Sequence, residues 1–298
     1  MTSSKIALRV FSAFILLLAI YPASADTLKS ADPFAVLAGS TVTNAGAGVL
    51  GATVIIGNLG VYPGSTCTGF TTCPIIGPGT IAGTVHLADG VALQAQKDLT
   101  NAYVTLGGLA STLEPANLAG LSLGPGVYKV PAAASNLTGT LKLSDGGIAG
   151  SIFIFLADST LITSPGSLID VSGLSPSDSL FWVVRSSATL GDNTVFQGNI
   201  LALTNITFDP GATIGCGRAL AQNGQVTFAG QNATTGIENR ISIGCEGTSG
   251  VGGGGFNGGP PVVGAPEPGT FVLLGAGIIC LAMLLAMLKK RNLSLVTA

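Results

Sequence analysis

Residues 181–235 divide into three rows: FWVVRSSATLGDNTVFQG (181–198), NILALTNITFDPGATIG (199–215) and GRALAQNGQVTFAGQNATT (217–235). Thr189, Thr207 and Thr227 hold the same place in each row, so the steps between them are 18 and 20 residues. Every row has an apolar run, a polar corner, a short alternating run and a second corner of Gly, Asn, Asp or Pro. A period near 20 made of short strands and turn residues is the signature of a solenoid. Each unit of a solenoid buries its apolar face only by stacking on its neighbours. The remainder of the chain is then expected to cap, brace or anchor that stack.

The same pattern runs weakly through the rest of the domain. Residues 53–56, with turns at Asn58 and Pro63-Gly64, read as a strand and corners, and GPGTIAGTVHLAD (77–89) as another. SIFIFL (151–156) repeats the role of FWVV (181–184), and LITSPGSLIDV (161–171) aligns loosely with ITFDPGATI (206–214). Between these rows the period changes. Val91, Ala95, Leu99, Ala102 and Leu106 share one face of a helix over 89–106, while Gln94, Lys97, Asp98 and Asn101 take other faces. Asp89 is placed to cap its start and Gly107-Gly108 to stop it. A single helix with one apolar stripe must lie along the side of the stack.

Only 9% of the 298 residues are charged, where about 25% is usual, and the net charge is −2. The surface must therefore consist of Ser, Thr, Asn, Gly and Ala. This excludes the basic patch that nucleic acid requires and suits a neutral, flat partner. Lys5 and Arg9, the apolar run 10–20 and Ala23-Ser24-Ala25 predict a signal peptide over 1–25. The domain would then span 26–246 and a Gly-rich linker 247–265. Pro266, Glu267 and Pro268 precede an apolar run, 270–288, long enough to cross a bilayer, and then Lys289-Lys290-Arg291. Residues 266–298 resemble the PEP-CTERM sorting signal. That resemblance implies an exosortase as processing partner, a membrane-held tail before cleavage, and a secreted or surface-anchored product.

Catalytic chemistry finds little support. His86 is the one histidine and stands in a strand-like run, where a structural role is expected. Asp192 and Asp209, aligned one row apart, are the single candidate carboxylate pair, and both sit in turn contexts. No metal site or cofactor is expected. Cys67 and Cys73 would close a small loop, and Cys216 and Cys245 could staple the end of the last row, although four cysteines allow three pairings.

What does recur is a small polar patch at one corner: Ser164 to Ser167, Asn193 and Thr194, Ala212 and Thr213, and Asn232 with Thr234. Stacked, these residues are expected to give a level, nearly uncharged array of hydroxyls, methyls and amides. PFAVLAGSTVTN, GNLGVYPGS, GTVHLAD, LGPGVYKV, SIFIF, GNILALTNIT and GRALA, in this order over about 32–235, resemble the ice-binding-like adhesin family. The resemblance implies a discontinuous right-handed β-solenoid of roughly triangular section with one long helix alongside. It also implies adsorption to ice by one flat face, with the corner residues as that face. A structural or adhesive matrix protein, binding polysaccharide or cells, is the alternative reading.

Overall fold

The computed structural model describes residues 27–46, 53–175 and 177–244, all within the unit spanning Met1–Pro260. The signal peptide, the linker, the Pro266-Glu267-Pro268 motif, the apolar run 270–288 and Cys245 lie outside the described residues. Among the described residues no helix is long and apolar enough to cross a membrane.

The strands pair in parallel and stand in three columns. One column is Thr112–Leu113, Gly126–Val130, Ile152–Ala157, Ser179–Val184, the second halves of Val195–Ala202 and Thr213–Ala221, then Phe34–Ala38, Asn58–Val61 and Val85–Leu87. A second is Leu161–Thr163, Ala188–Leu190, Ile206–Phe208, Val226–Phe228, Thr41–Asn44 and Thr66–Phe70. The third runs from Ser122–Leu123 through Thr140–Ser144 and Leu168–Gly173 to the first residues of Val195–Ala202 and Thr213–Ala221. It ends on Arg240–Ser242, Val54–Ile56 and the end of Ile75–Ala82. The three-row repeat is therefore real: Thr189, Thr207 and Thr227 are neighbours in register.

Stack order departs from chain order. The chain enters in mid-stack at Phe34–Ala38, which pairs with Thr213–Ala221 on one side and Asn58–Val61 on the other. It proceeds to one end at Val85–Leu87, restarts at the far end at Thr112–Leu113, and builds back to the middle. One layer is thus composite, taking Phe34–Ala38 and Thr41–Asn44 from the start of the domain and Arg240–Ser242 from its end.

The helix Gly90–Gly107 makes the return journey. Its 18 residues span about 27 Å, and the few extended residues after it supply the rest of the roughly 38 Å between the end strands. Asp89 caps it as expected, accepting a hydrogen bond from the Ala92 amide at 2.8 Å. His86 Nδ1 lies 2.8 Å from the other Asp89 oxygen and the ring meets Phe34 edge-on, a structural role. Two helical positions differ from the expected stripe. Val91 is exposed, the buried stripe beginning instead at Ala92, and Asp98 is buried, accepting hydrogen bonds from Ser30 and Gln94.

Burial follows from this layout. The column under the helix is apolar on both faces. Ile154, Leu156, Phe181, Val183, Leu201 and Leu220 point to Ala95, Leu99, Ala102 and Leu106, while Phe155, Trp182 and Ile200 point inward. Inside, Tyr128, Phe155, Trp182 and Phe196 form an aromatic pile with centroid steps of 5.2, 4.1 and 5.1 Å. Gly198 and Gly217 lie side by side where two long strands bend from the third column into the helix-covered one. Both have positive φ, and a Cβ on Gly217 would collide with the backbone of Gly198. Cys67 and Cys73 form the expected disulfide. Cys216 is also disulfide-bonded, while the expected Cys216–Cys245 pairing ends on a residue outside the described ones.

Candidate functional site

The second column repeats one local rule. In Ala188–Leu190, Ile206–Phe208 and Val226–Phe228 the outer residues are buried and the central one is turned outward, as period-two alternation requires. Thr41–Asn44 and Thr66–Phe70 do the same with Thr43 and Thr68. Register then places Thr189, Thr207, Thr227, Thr43 and Thr68 next to one another. Ile162 precedes this rank and Ile75 follows it. At about 4.8 Å per layer, the five threonines form a rank roughly 19 Å long.

Their hydroxyls are available. Among the described residues, none of the five has a hydrogen-bond partner within the protein, and each side chain is half-buried between its neighbours. Thr is stiff at χ1, so packing holds each hydroxyl and methyl in a fixed direction. The rank N-terminal to it comprises Ser187, Asn205, Gln225, Thr41 and Thr66. It is tied along the stack: the Gln225 amide donates to Asn205 Oδ1 at 3.0 Å, and Ser187 Oγ lies 2.7 Å from Thr204 Oγ1. That rank stiffens the edge of the face. On the C-terminal side Gly191, Ala229 and Ala45 keep the surface low.

Asp209 is the exception on that side. Burial raises its carboxyl pKa, and repulsion from Asp192 raises it further. Register continued from Leu190 opposite Phe208 sets Gly191, not Asp192, beside Asp209, so the expected one-row alignment of the two carboxylates is off by one position. Among the described residues no group of acidic, histidine or cysteine side chains is arranged to hold a metal ion.

The corner residues do not form the plane expected of them. Ser167, Thr194 and Ala212 are 1%, 0% and 0% exposed, and Asn232 is also buried. Their polar atoms close the turns from within. Thr194 Oγ1 pairs with Thr163 Oγ1 at 2.8 Å, and Ser167 Oγ donates to Leu137 O at 2.8 Å. Ser164 Oγ donates to Ser135 Oγ at 2.9 Å, and Thr213 Oγ1 reaches Thr194 O at 3.3 Å. Asn232 Oδ1 accepts from the Thr234 and Thr235 amides, and Asn193 Oδ1 from Thr235 Oγ1. Thr234 alone of the eight is well exposed. At a corner the chain turns about its own axis, so residues that align in sequence need not share a face.

The signal for the actual rank was in the sequence: a threonine between two residues that both face inward, as in ATL, ITF, VTF, VTN and CTG. Thr189, Thr207 and Thr227 mark the phase of the repeat. Thr43 and Thr68 join them only through the reordered stack.

A neutral rank of hydroxyls held in fixed directions can order water. Residues 36–234 match the family model described as ice-binding-like. An ice-binding protein of Nostoc sp. (strain HG1) is 46% identical over 209 residues, covering 69% of this chain and 72% of that protein. Ice-binding protein 1 of Shewanella frigidimarina (strain NCIMB 400) is 33% identical over 141 residues, 45% of this chain and 16% of that one. Among solved structures, the ice-binding protein of the Antarctic ascomycete Antarctomyces psychrotrophicus superposes with a TM-score of 0.62 at 34% identity. That match covers 73% of this chain and 97% of the other. An ice-binding protein from an Antarctic biological consortium gives 0.61 at 38% identity, over 75% and 96%. With its fold, its order of motifs and these relatives in agreement, the chain belongs to the ice-binding-like family.

Proposed function

We propose that this protein binds ice through the threonine column. The observation that carries the reading is the in-register rank Thr189, Thr207, Thr227, Thr43 and Thr68, whose hydroxyls have no partner among the described residues. Water held at that spacing costs little further ordering, because the side chains are already fixed. The face then docks on a crystal plane, and the curvature forced on ice between bound molecules opposes growth and recrystallisation. The ice-binding names of the relatives support the same function.

The finer architecture belongs to the same reading: a right-handed coil of roughly triangular section. So does the route outside. Residues 1–25 direct export, and residues 266–298, with the Pro266-Glu267-Pro268 motif and the apolar run 270–288, hold the chain in the inner membrane until an exosortase transfers it to the surface. There it restrains ice growth or tethers the cell to ice, and no catalysis is involved. Thermal hysteresis and partitioning into a slowly growing ice hemisphere test the function on residues 26–248. Enrichment in ice with shaped crystals is expected. Exclusion from ice with round crystals would favour a matrix or adhesive role.

A further inference from the structure

Between Thr227 and Thr43 the threonine rank crosses a seam where the end of the domain meets its beginning, 184 residues away in sequence. Continuity of the face depends on the register there. A slip of one residue would turn Thr43 inward and expose Val42, which is now fully buried. In the helix-covered column the seam is held by short ladder pairing, Val36 with Ala219 and Leu37 with Leu220. The preceding layers pair along whole strands.

One polar chain crosses this column. Arg218 is 0% exposed. Its Nε donates to the Asp32 carbonyl oxygen and its Nη2 to Asp32 Oδ1, both at 2.7 Å, and its Nη1 donates to Asn199 Oδ1 at 2.9 Å. Asn199 in turn donates to Leu180 O at 3.1 Å. The chain therefore links four successive layers, from Ser179–Val184 to the residue just ahead of Phe34–Ala38. A buried ion pair is poor value as a source of stability, since apolar residues of equal volume often serve as well. Its directional bonds do discriminate between registers, because a slipped strand leaves a charge buried without partners.

We infer that Arg218, with Asp32 and Asn199, is a positioning latch that sets the register of the N-terminal coil and so completes the ice-docking rank. The inference rests on the function proposed above, and its test separates the two. Register is read in the full chain carrying Thr43→Cys and Thr227→Cys, which lie directly opposite and within disulfide reach when the rank is intact. Rapid oxidation to the cross-link is expected with the latch present, and at least roughly tenfold slower oxidation with Arg218→Met. In the chain without added cysteines, Arg218→Met should cut thermal hysteresis several-fold while the strand signal in circular dichroism persists. Asp32→Asn keeps the shape and the carbonyl bond, so it should fold and show smaller losses of the same kind. Unchanged cross-linking in Arg218→Met, or in Asp32→Asn should the first variant not fold, would overturn the latch whatever the ice activity. Slower cross-linking with unchanged hysteresis would keep the latch as a register device but overturn its role in docking.

Discussion

The threonine column and the neighbouring corner use the same residue types, stack at the same spacing and differ in one respect. On the column, Thr189, Thr207, Thr227, Thr43 and Thr68 face out with hydroxyls that bind nothing among the described residues. At the corner, Thr194 and Ser167 face in, and Ser164 and Thr213 are tied to adjacent turns. A hydroxyl that already satisfies a turn stabilises the fold and offers nothing to water outside. One that alternation leaves outward, with no internal partner, is available. Residue type and stacking alone do not make a docking surface. The partner already held by each polar atom decides.

That contrast can be broken in four places. The largest effect is expected from a charge in the middle of the rank. Thr207→Lys places a strongly hydrated ammonium on the plane and should lower thermal hysteresis by at least about tenfold. Thr234→Lys at the corner should leave it unchanged. Next is the buried hydroxyl of Thr194. Thr194→Val preserves shape but removes one of the two partners of Thr163 Oγ1, leaving it only the Gly191 amide, and chemical denaturation should show a loss of about 1–3 kcal/mol with ice activity retained. A comparable loss, about 2 kcal/mol, is expected on replacing both Cys67 and Cys73 by Ala, since their bridge closes a short loop beside Thr68.

The smallest effect concerns Asp209. Its folded-state pKa lies above the unfolded value because of burial and then of Asp192. The folded protein therefore binds more protons in the window between those values, and stability falls as pH rises through it. Asp209→Asn should melt slightly higher than the unaltered protein at neutral pH, and the gap should close once the pH drops below the ordinary carboxylate range. A gap of constant size across that range would show that repulsion and burial at this corner do not matter.

Much of the fold was legible because periods report burial. The rows containing Thr189, Thr207 and Thr227, the pairing of SIFIF with FWVV and the helix capped by Asp89 all follow from alternation, apolar runs and turn residues. The corner was misread because Pro-Gly and Asp-Asn turns recur there conspicuously, and period-two reasoning fails where the chain turns. Asp98 was misplaced because its partner Ser30 lies 68 residues away. The extension of the rank by Thr43 and Thr68 was invisible for a similar reason. Nothing local tells a strand at residue 41 that its neighbour is at 226.

The most direct measurement compares two tyrosine variants in one ice-activity assay, with melting temperatures shown to match that of the unaltered protein. Tyrosine is neutral and bulky, so it lifts a flat face from the crystal wherever that face is. Thr207→Tyr should lose most of the thermal hysteresis, whereas Thr213→Tyr, one corner away, should keep it. Retained activity in the first variant and loss in the second would contradict the account and return the docking plane to the corner.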